Sequence, residues 1–189
     1  IDAGELTTEA GSKGYHQRCS KKFFGKIIPP ELNFTEDQIL ELAEQQVIKS
    51  QKTVTGVQPK LSLGISENSS ETERFTIVGL WGEYILKPQT KIYPSLPEIE
   101  DLTMHLAKIS KIKTVEHSLI RLKSGELAYI TKRIDRQKRS KLHMEDMCQI
   151  TERMTEHKYK GSYEQIARAI KKHTANPGLN VTDFFELVL

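Results

Sequence analysis

Cysteine is scarce in this sequence, and so are charge of one sign and long apolar runs. With only Cys19 and Cys148 among 189 residues, no disulfide framework of the secreted kind can be built. Reduced thiols in a cytoplasmic setting are expected. No apolar stretch approaches the ~18 residues of a membrane-spanning helix, and Ile1-Asp2-Ala3 opens without a basic segment, an apolar run or a small-residue cleavage site. Neither a membrane role nor a leader is expected. The 28 Lys+Arg against 25 Asp+Glu leave a net charge of +3, far from the basic field of a nucleic-acid binder, so direct nucleic-acid binding is not expected. Apolar residues, by contrast, make up 37%, enough for the core of one generous domain or two small lobes.

Thr35-Glu36-Asp37-Gln38 has the form of a capping box, and Ile39, Leu42, Ala43 and Val47 follow at helical spacing, which predicts a helix over 36–49. Leu61 to Ile65 alternates as a strand, Ser66 to Glu73 reads as a hairpin loop, and Phe75 to Val78 and Tyr84 to Lys87 supply two more strands, the last stopped by Pro88. Pro97 suits the first turn of a helix ending near Ser110, whose Ile99, Leu102, Leu106 and Ile109 form an apolar stripe. Val115 to Leu122 and Leu127 to Thr131 flank the turn Lys123-Ser124-Gly125-Glu126. Helical patterns follow over 144–155 and over 163–173 behind the capping box Ser162-Tyr163-Glu164-Gln165, with a last helix from Thr182.

Strands first and helices afterwards make an α+β plan. Five strands with one helix, joined through residues 132–141 to a helical lobe, look like a protein-kinase architecture. The expected parts are an extension over 1–30, a β-rich lobe over 31–136 and the beginning of an all-α lobe over 137–189. The chain opens without Met, and its ending Asp183 to Leu189 has no polar last turn, Gly or Pro, so both termini are expected to be cut, the alternative being a docked C-terminal helix.

Two elements are candidates for phosphate chemistry. Gly56, ahead of Lys60 in Thr53-Val54-Thr55-Gly56-Val57-Gln58-Pro59-Lys60, permits backbone N–H groups to approach an anion, although one glycine before a strand equally makes an ordinary turn. Lys87, ending a strand, can aim its charge at bound phosphates and pair with a glutamate of the next helix, where Glu98 and Glu100 stand; the bland alternative is a solvated strand end.

In order, Gly56-Val57-Gln58-Pro59-Lys60 resembles the G-x-Q-x-K phosphate loop of the HipA-like serine/threonine kinases, the toxins of bacterial toxin-antitoxin modules. Tyr84-Ile85-Leu86-Lys87-Pro88 resembles that family's strand with its nucleotide-binding lysine, and Glu100 ahead of Leu106-Ala107-Lys108 its helix. Arg133-Ile134-Asp135-Arg136 resembles the R-F-D-R link, and Leu142-His143-Met144-Glu145-Asp146-Met147-Cys148-Gln149 is close to the helix after it. The resemblance implies that Lys87 binds the ATP α and β phosphates, that Thr55, Gly56, Val57, Gln58 and Lys60 cover them, that Glu100 orients Lys87, and that backbone groups of Lys132 and Ile134 hold the adenine edge. Helical phase points instead to Glu98, which flanks the apolar stripe more closely. Thr53 and Thr55 stand where the family carries an autophosphorylated serine, and a phosphate there would repel ATP.

The family's G-x-x-D-x-H-x-K-N loop and its later Y-D pair, which supply the catalytic Asp and the Mg2+ ligands, do not occur here. The resemblance places them beyond residue 189, so these residues alone are expected to hold ATP rather than transfer phosphate. Asp135, Asp146 and Asp183 lack the Asn that would make them substitutes. The implied whole is a toxin kinase that phosphorylates a protein, an aminoacyl-tRNA synthetase among the family's substrates, restrained by a DNA-binding antitoxin. The alternative is a catalytically inactive module that binds nucleotide or antitoxin.

His16 and Cys19 have the spacing of half a tetrahedral zinc site, the other half being absent; as a lone pair they read equally as ordinary surface residues. Cys148 reads as a buried helix residue, and His143, His157 and His173 as solvated.

Overall fold

Residues 14–50, 58–66, 73–78, 81–137 and 140–189 are described by a computed structural model. The chain divides into two units, residues 1–134 and 135–189.

In the first unit, α1 (Gln17–Phe24) ends where Gly25 takes a left-handed conformation, φ 80°, and returns its N–H to Lys21 O. Sequence reasoning left this segment in an extension; its Phe23 and Phe24 belong to the same core as the sheet. The helix α2 (Glu36–Ser50) starts at the expected capping box: Gln38 N–H donates to Thr35 Oγ1 at 3.4 Å and Thr35 N–H to Gln38 Oε1 at 3.0 Å.

The strands β1 (Leu61–Ser66), β2 (Arg74–Ile77), β3 (Tyr84–Lys87), β4 (His117–Arg121) and β5 (Leu127–Lys132) form one antiparallel sheet in the order β2-β1-β3-β5-β4. Between β3 and β4 runs α3 (Leu96–Ile109), with Pro97 in its first turn.

Alternation along the strands gives the sheet two unlike faces. One carries Leu61, Leu63, Phe75, Tyr84, Leu86, Ala128, Ile130 and Ile120, all buried with Phe23, Phe24, Ile39 and Ala43 from α1 and α2. Each large side chain buried there contributes about 1.5–3 kcal/mol. Burial against this apolar packing also pushes the Tyr84 hydroxyl up to about 12, with the Glu83 and Glu116 charges adding to the effect. The opposite face carries Lys87, Tyr129, Thr131 and His117, and α3 lies over it.

That polar face reverses the amphipathic reading of α3. The stripe Ile99, Leu102, Leu106 and Ile109 is more than half exposed, while Pro97 is fully buried and Glu100 and Asp101 turn toward the sheet. The reason is what lies beneath. Lys87 and His117 need charged and hydrogen-bonding partners when covered, and an apolar stripe offers none.

The second unit begins with a short hairpin that sequence reasoning missed within the basic stretch, β6 (Arg136–Gln137) with β7 (Ser140–Lys141). Buried Asp135 pairs with Arg136 Nη1 at 2.6 Å, and its carbonyl accepts from Leu142 N–H. The single helix expected over 144–155 is instead α4 (Met147–Ile150) and a 3-10 turn (Thr155–His157). Asp146 and Gln149 cap its start reciprocally, but Thr151 Oγ1 bonds back to Met147 O and Glu152 adopts φ 55°, which ends the helix. Cys148 is half-buried there, its thiol donating to Arg153 O at 3.4 Å. The helix α5 (Tyr163–His173) follows the capping box of Ser162 and Gln165 as expected. The last helix, α6 (Pro177–Val188), starts five residues before the expected Thr182, because Pro177 takes the first-turn position that tolerates a missing N–H.

Candidate functional site

Lys87 closes β3, the middle strand of the sheet, and its register partner on β5 is Tyr129. Directly opposed residues project to the same face, so the lysine Nζ lies over the Tyr129 ring, 5.3 Å from its centroid. From above, α3 brings Glu100 onto the ammonium: Lys87 Nζ donates to Glu100 Oε1. Both side chains are about one quarter exposed, 26% each, leaving the ammonium reachable from solvent. The neighbouring candidate, Glu98, accepts from Gln89 Nε2 at 2.8 Å instead. Helical phase failed to pick Glu100 because it assumed that the apolar stripe faces inward.

Tyr129 forms the floor of this arrangement and is fully buried. Burial raises its hydroxyl far above the ordinary tyrosine value, and the Glu100 and Asp101 charges push the same way, so it stays neutral. Its other neighbour is His117 of β4, stacked at 5.9 Å.

Of the Gly56 motif, Gln58, Pro59 and Lys60 are described. Gln58 Nε2 donates to Pro88 O at 3.1 Å, which ties Gln58 to the residue after Lys87. Since Leu61 opposes Leu86 in the β1–β3 pairing, continuing the register by one residue puts Lys60 opposite Lys87. Lys60 and Lys87 thus stand at the same end of the sheet, the one just ahead of β1 and the other closing β3. Such a concentration of positive charge suits a polyanion with several phosphates. Thr53, Thr55, Gly56 and Val57 lie outside the described residues.

Other expected positions lie apart from this pair. The Lys132 backbone N–H is already taken, donating to Glu116 O at 2.9 Å, and its side chain pairs with Glu116 and lies 5.6 Å from the Phe23 ring. Ile134 is exposed in the turn at the end of the first unit. His16 stands at the N-cap position of α1 without a side-chain capping bond, and Cys19 is exposed on the helix; among the described residues, no third metal-ligating side chain joins them. The grouping of that kind which does occur, Asp101, His105 and His117, was not seen in the sequence. Its members are four and twelve residues apart on α3 and β4, and the only sequence signal was the helical spacing of Asp101 and His105.

A family model described as the HipA-like C-terminal domain matches residues 53–189. The chain belongs to the HipA-like family. Along its whole length it is similar to a putative kinase of Haemophilus influenzae, 30% identical over 201 residues and covering 55% of that protein. A second relative, the putative kinase Y4dM of Sinorhizobium fredii, is 29% identical over 135 residues, covering 65% of this chain and 33% of its own. This chain thus spans about half the length, or less, of these curated relatives. Among solved structures, HipA of Shewanella oneidensis, determined with HipB and operator DNA, matches at 20% identity and a TM-score of 0.47, over 83% of this chain and 44% of that one. Among the described residues, no helix is long and apolar enough to cross a membrane.

Proposed function

We propose that this chain is the ATP-binding part of a HipA-like serine/threonine-protein kinase. The observation that carries the reading is the Lys87–Glu100 ion pair above Tyr129. In this reading Lys87 holds the α and β phosphates, Glu100 fixes its orientation, and the loop from Thr55 to Lys60 covers them. Without ATP, the carboxylate keeps the half-buried ammonium from being left unpaired. With ATP, the same carboxylate prevents Lys87 from following the phosphates out of the geometry that transfer requires.

In this reading the proton acceptor and the Mg2+ ligands are not among these 189 residues. Asp135 is not reassigned to that work, since it is buried and paired with Arg136. The γ-phosphate goes to a hydroxyl of a protein substrate, and a DNA-binding antitoxin is the partner that restrains the enzyme. The names of the relatives, two of them called putative kinases, support this reading. Thr53 and Thr55 are the proposed sites of autophosphorylation, where roughly two added charges would oppose ATP.

The test is phosphoryl transfer by the full-length protein from labelled ATP, followed by phosphoamino-acid analysis of the product. The expected outcome is phosphoserine or phosphothreonine, lost in Lys87→Ala. Transfer that survives this substitution unchanged overturns the role of Lys87; ATP binding with no transfer at all favours an inactive binding module.

A further inference from the structure

We propose that Asp101, His105 and His117 form a binding site for one divalent transition-metal ion such as Zn2+, which ties α3 to β4. This inference does not rest on the kinase reading. Asp101 and His105 stand one helical turn apart on α3, and His117 projects from β4 directly beneath them. Their ligand atoms all lie within 4.8 Å of one another. Asp101 already contacts both imidazoles: its Oδ1 is 2.8 Å from His117 Nδ1, while His105 Nδ1 lies 2.9 Å from the Asp101 main-chain carbonyl and 3.4 Å from Oδ2, so the outward-facing Nε2 of His105 is the atom left for an ion. In a tetrahedral site with bonds of ~2.0–2.1 Å, neighbouring ligand atoms are ~3.3 Å apart, so small side-chain shifts bring the three into place.

Burial grades across the cluster as a site open on one side requires. The His117 side chain is fully covered, that of Asp101 is 17% exposed and that of His105 45% exposed. The floor is rigid, because His117 stacks on Tyr129 and meets the His105 ring edge-on at 4.9 Å. An ion enters past His105, and water fills the fourth position. Two imidazoles and a carboxylate are a donor set that borderline ions such as Zn2+ and Co2+ accept.

Lys108 makes the proposal sharper. Its Nζ lies 2.8 Å from His117 Nε2 and donates to it, so the ring proton is on Nδ1, shared with Asp101. An ion bound at Nδ1 uses that lone pair, and the proton must then be on Nε2, facing an ammonium that no longer has an acceptor. No proton is released overall; the ring changes tautomer and Lys108 swings into solvent. Lys108 therefore competes with the ion, and removing its charge strengthens binding. A cluster that serves only as a hydrogen-bonded anchor for α3 predicts no such gain.

The experiment is titration of the full-length protein with Zn2+ by calorimetry and with Co2+ by visible absorption. One ion per chain is expected, with affinity reduced about 10-fold or more in His105→Ala and increased in Lys108→Gln, whose amide oxygen can accept from Nε2–H. His117→Ala empties a buried position and risks unfolding the lobe, so His105→Ala and Lys108→Gln, both reaching solvent, carry the test. The proposal is overturned if no ion binds, if His105→Ala binds as tightly as the parent, or if Lys108→Gln binds no tighter. It is equally overturned if binding is lost in Cys19→Ser and the Co2+ spectrum shows a thiolate charge-transfer band, which would place the ion at His16 and Cys19.

Discussion

Lys87 has three neighbours of different kinds, and each restricts it differently. The Tyr129 ring supports the ammonium from below, Glu100 holds it from the helix, and the Gln58 bond to Pro88 O fixes the chain beside it. Glu100 and Glu98 provide an internal control, because they lie two residues apart on one helix and only Glu100 reaches Lys87. Glu100→Gln removes the charge that orients the lysine while keeping the side chain's size. Transfer by the full-length protein should fall by about tenfold or more, with ATP still binding, whereas Glu98→Gln should transfer at the parent rate. Steady-state kinetics on the two variants checks this, and equal losses would contradict the assignment of Glu100. At this scale the sequence was informative where a motif fixed the residue: Lys87 and Glu100 were both named from ordered motifs. It was silent on Tyr129 and His117, whose importance comes from cross-strand and helix-to-sheet proximity that no local pattern encodes.

The element most affected by its surroundings is α3. Its apolar stripe was legible but its orientation was not, since periodicity shows that a helix has two faces and not which one is covered. The polar sheet face beneath it decides the matter. Leu102→Ser and Leu106→Ser should therefore change stability by no more than about 0.5 kcal/mol, as at ordinary surface sites. Leu86→Ala, in the apolar core, should cost about 2–5 kcal/mol. Denaturant midpoints of the three variants test the orientation, and a large loss at Leu102 would reverse it.

In the second unit, Asp146 caps α4 and pairs with Lys158 Nζ at 2.8 Å, and the hydrogen bond to Lys158 is the main cause that holds its carboxyl below the usual range. A carboxyl lowered on folding stabilises the folded form above its unfolded pKa of ~3.9 and loses that effect as pH falls through the lower folded value. Asp146→Ala should thus cost about 1 kcal/mol near neutral pH, with the difference from the parent shrinking below about pH 4. Thermal unfolding across pH measures both, and a constant difference would contradict the linkage. The α4 region also shows why its boundaries were misread: the helical pattern over 144–155 was real, but a left-handed Glu152 interrupts it, a backbone event with no glycine to announce it.

For the whole molecule, strand order was harder to read than strand existence. The five strands could be placed along the chain from alternation and turn residues. Their arrangement, with β3 in the middle between β1 and β5, depends on long-range pairing and emerged only in the fold. That arrangement is what gathers Lys87, Tyr129 and Glu100, drawn from three separate elements, on one sheet face. The short helix α1 has eight residues, no side-chain cap and no acidic residue in its first turn, so little in the sequence marks it, although Phe23 and Phe24 make it part of the core. The central claim is that this gathering binds the phosphates of ATP. Its most direct test is the ATP dissociation constant of the full-length protein and of Lys87→Ala, measured by calorimetry under identical salt. Losing charge-assisted contacts of about 1.5–3 kcal/mol should weaken binding roughly 10- to 150-fold. ATP bound equally well by the two proteins would contradict the account.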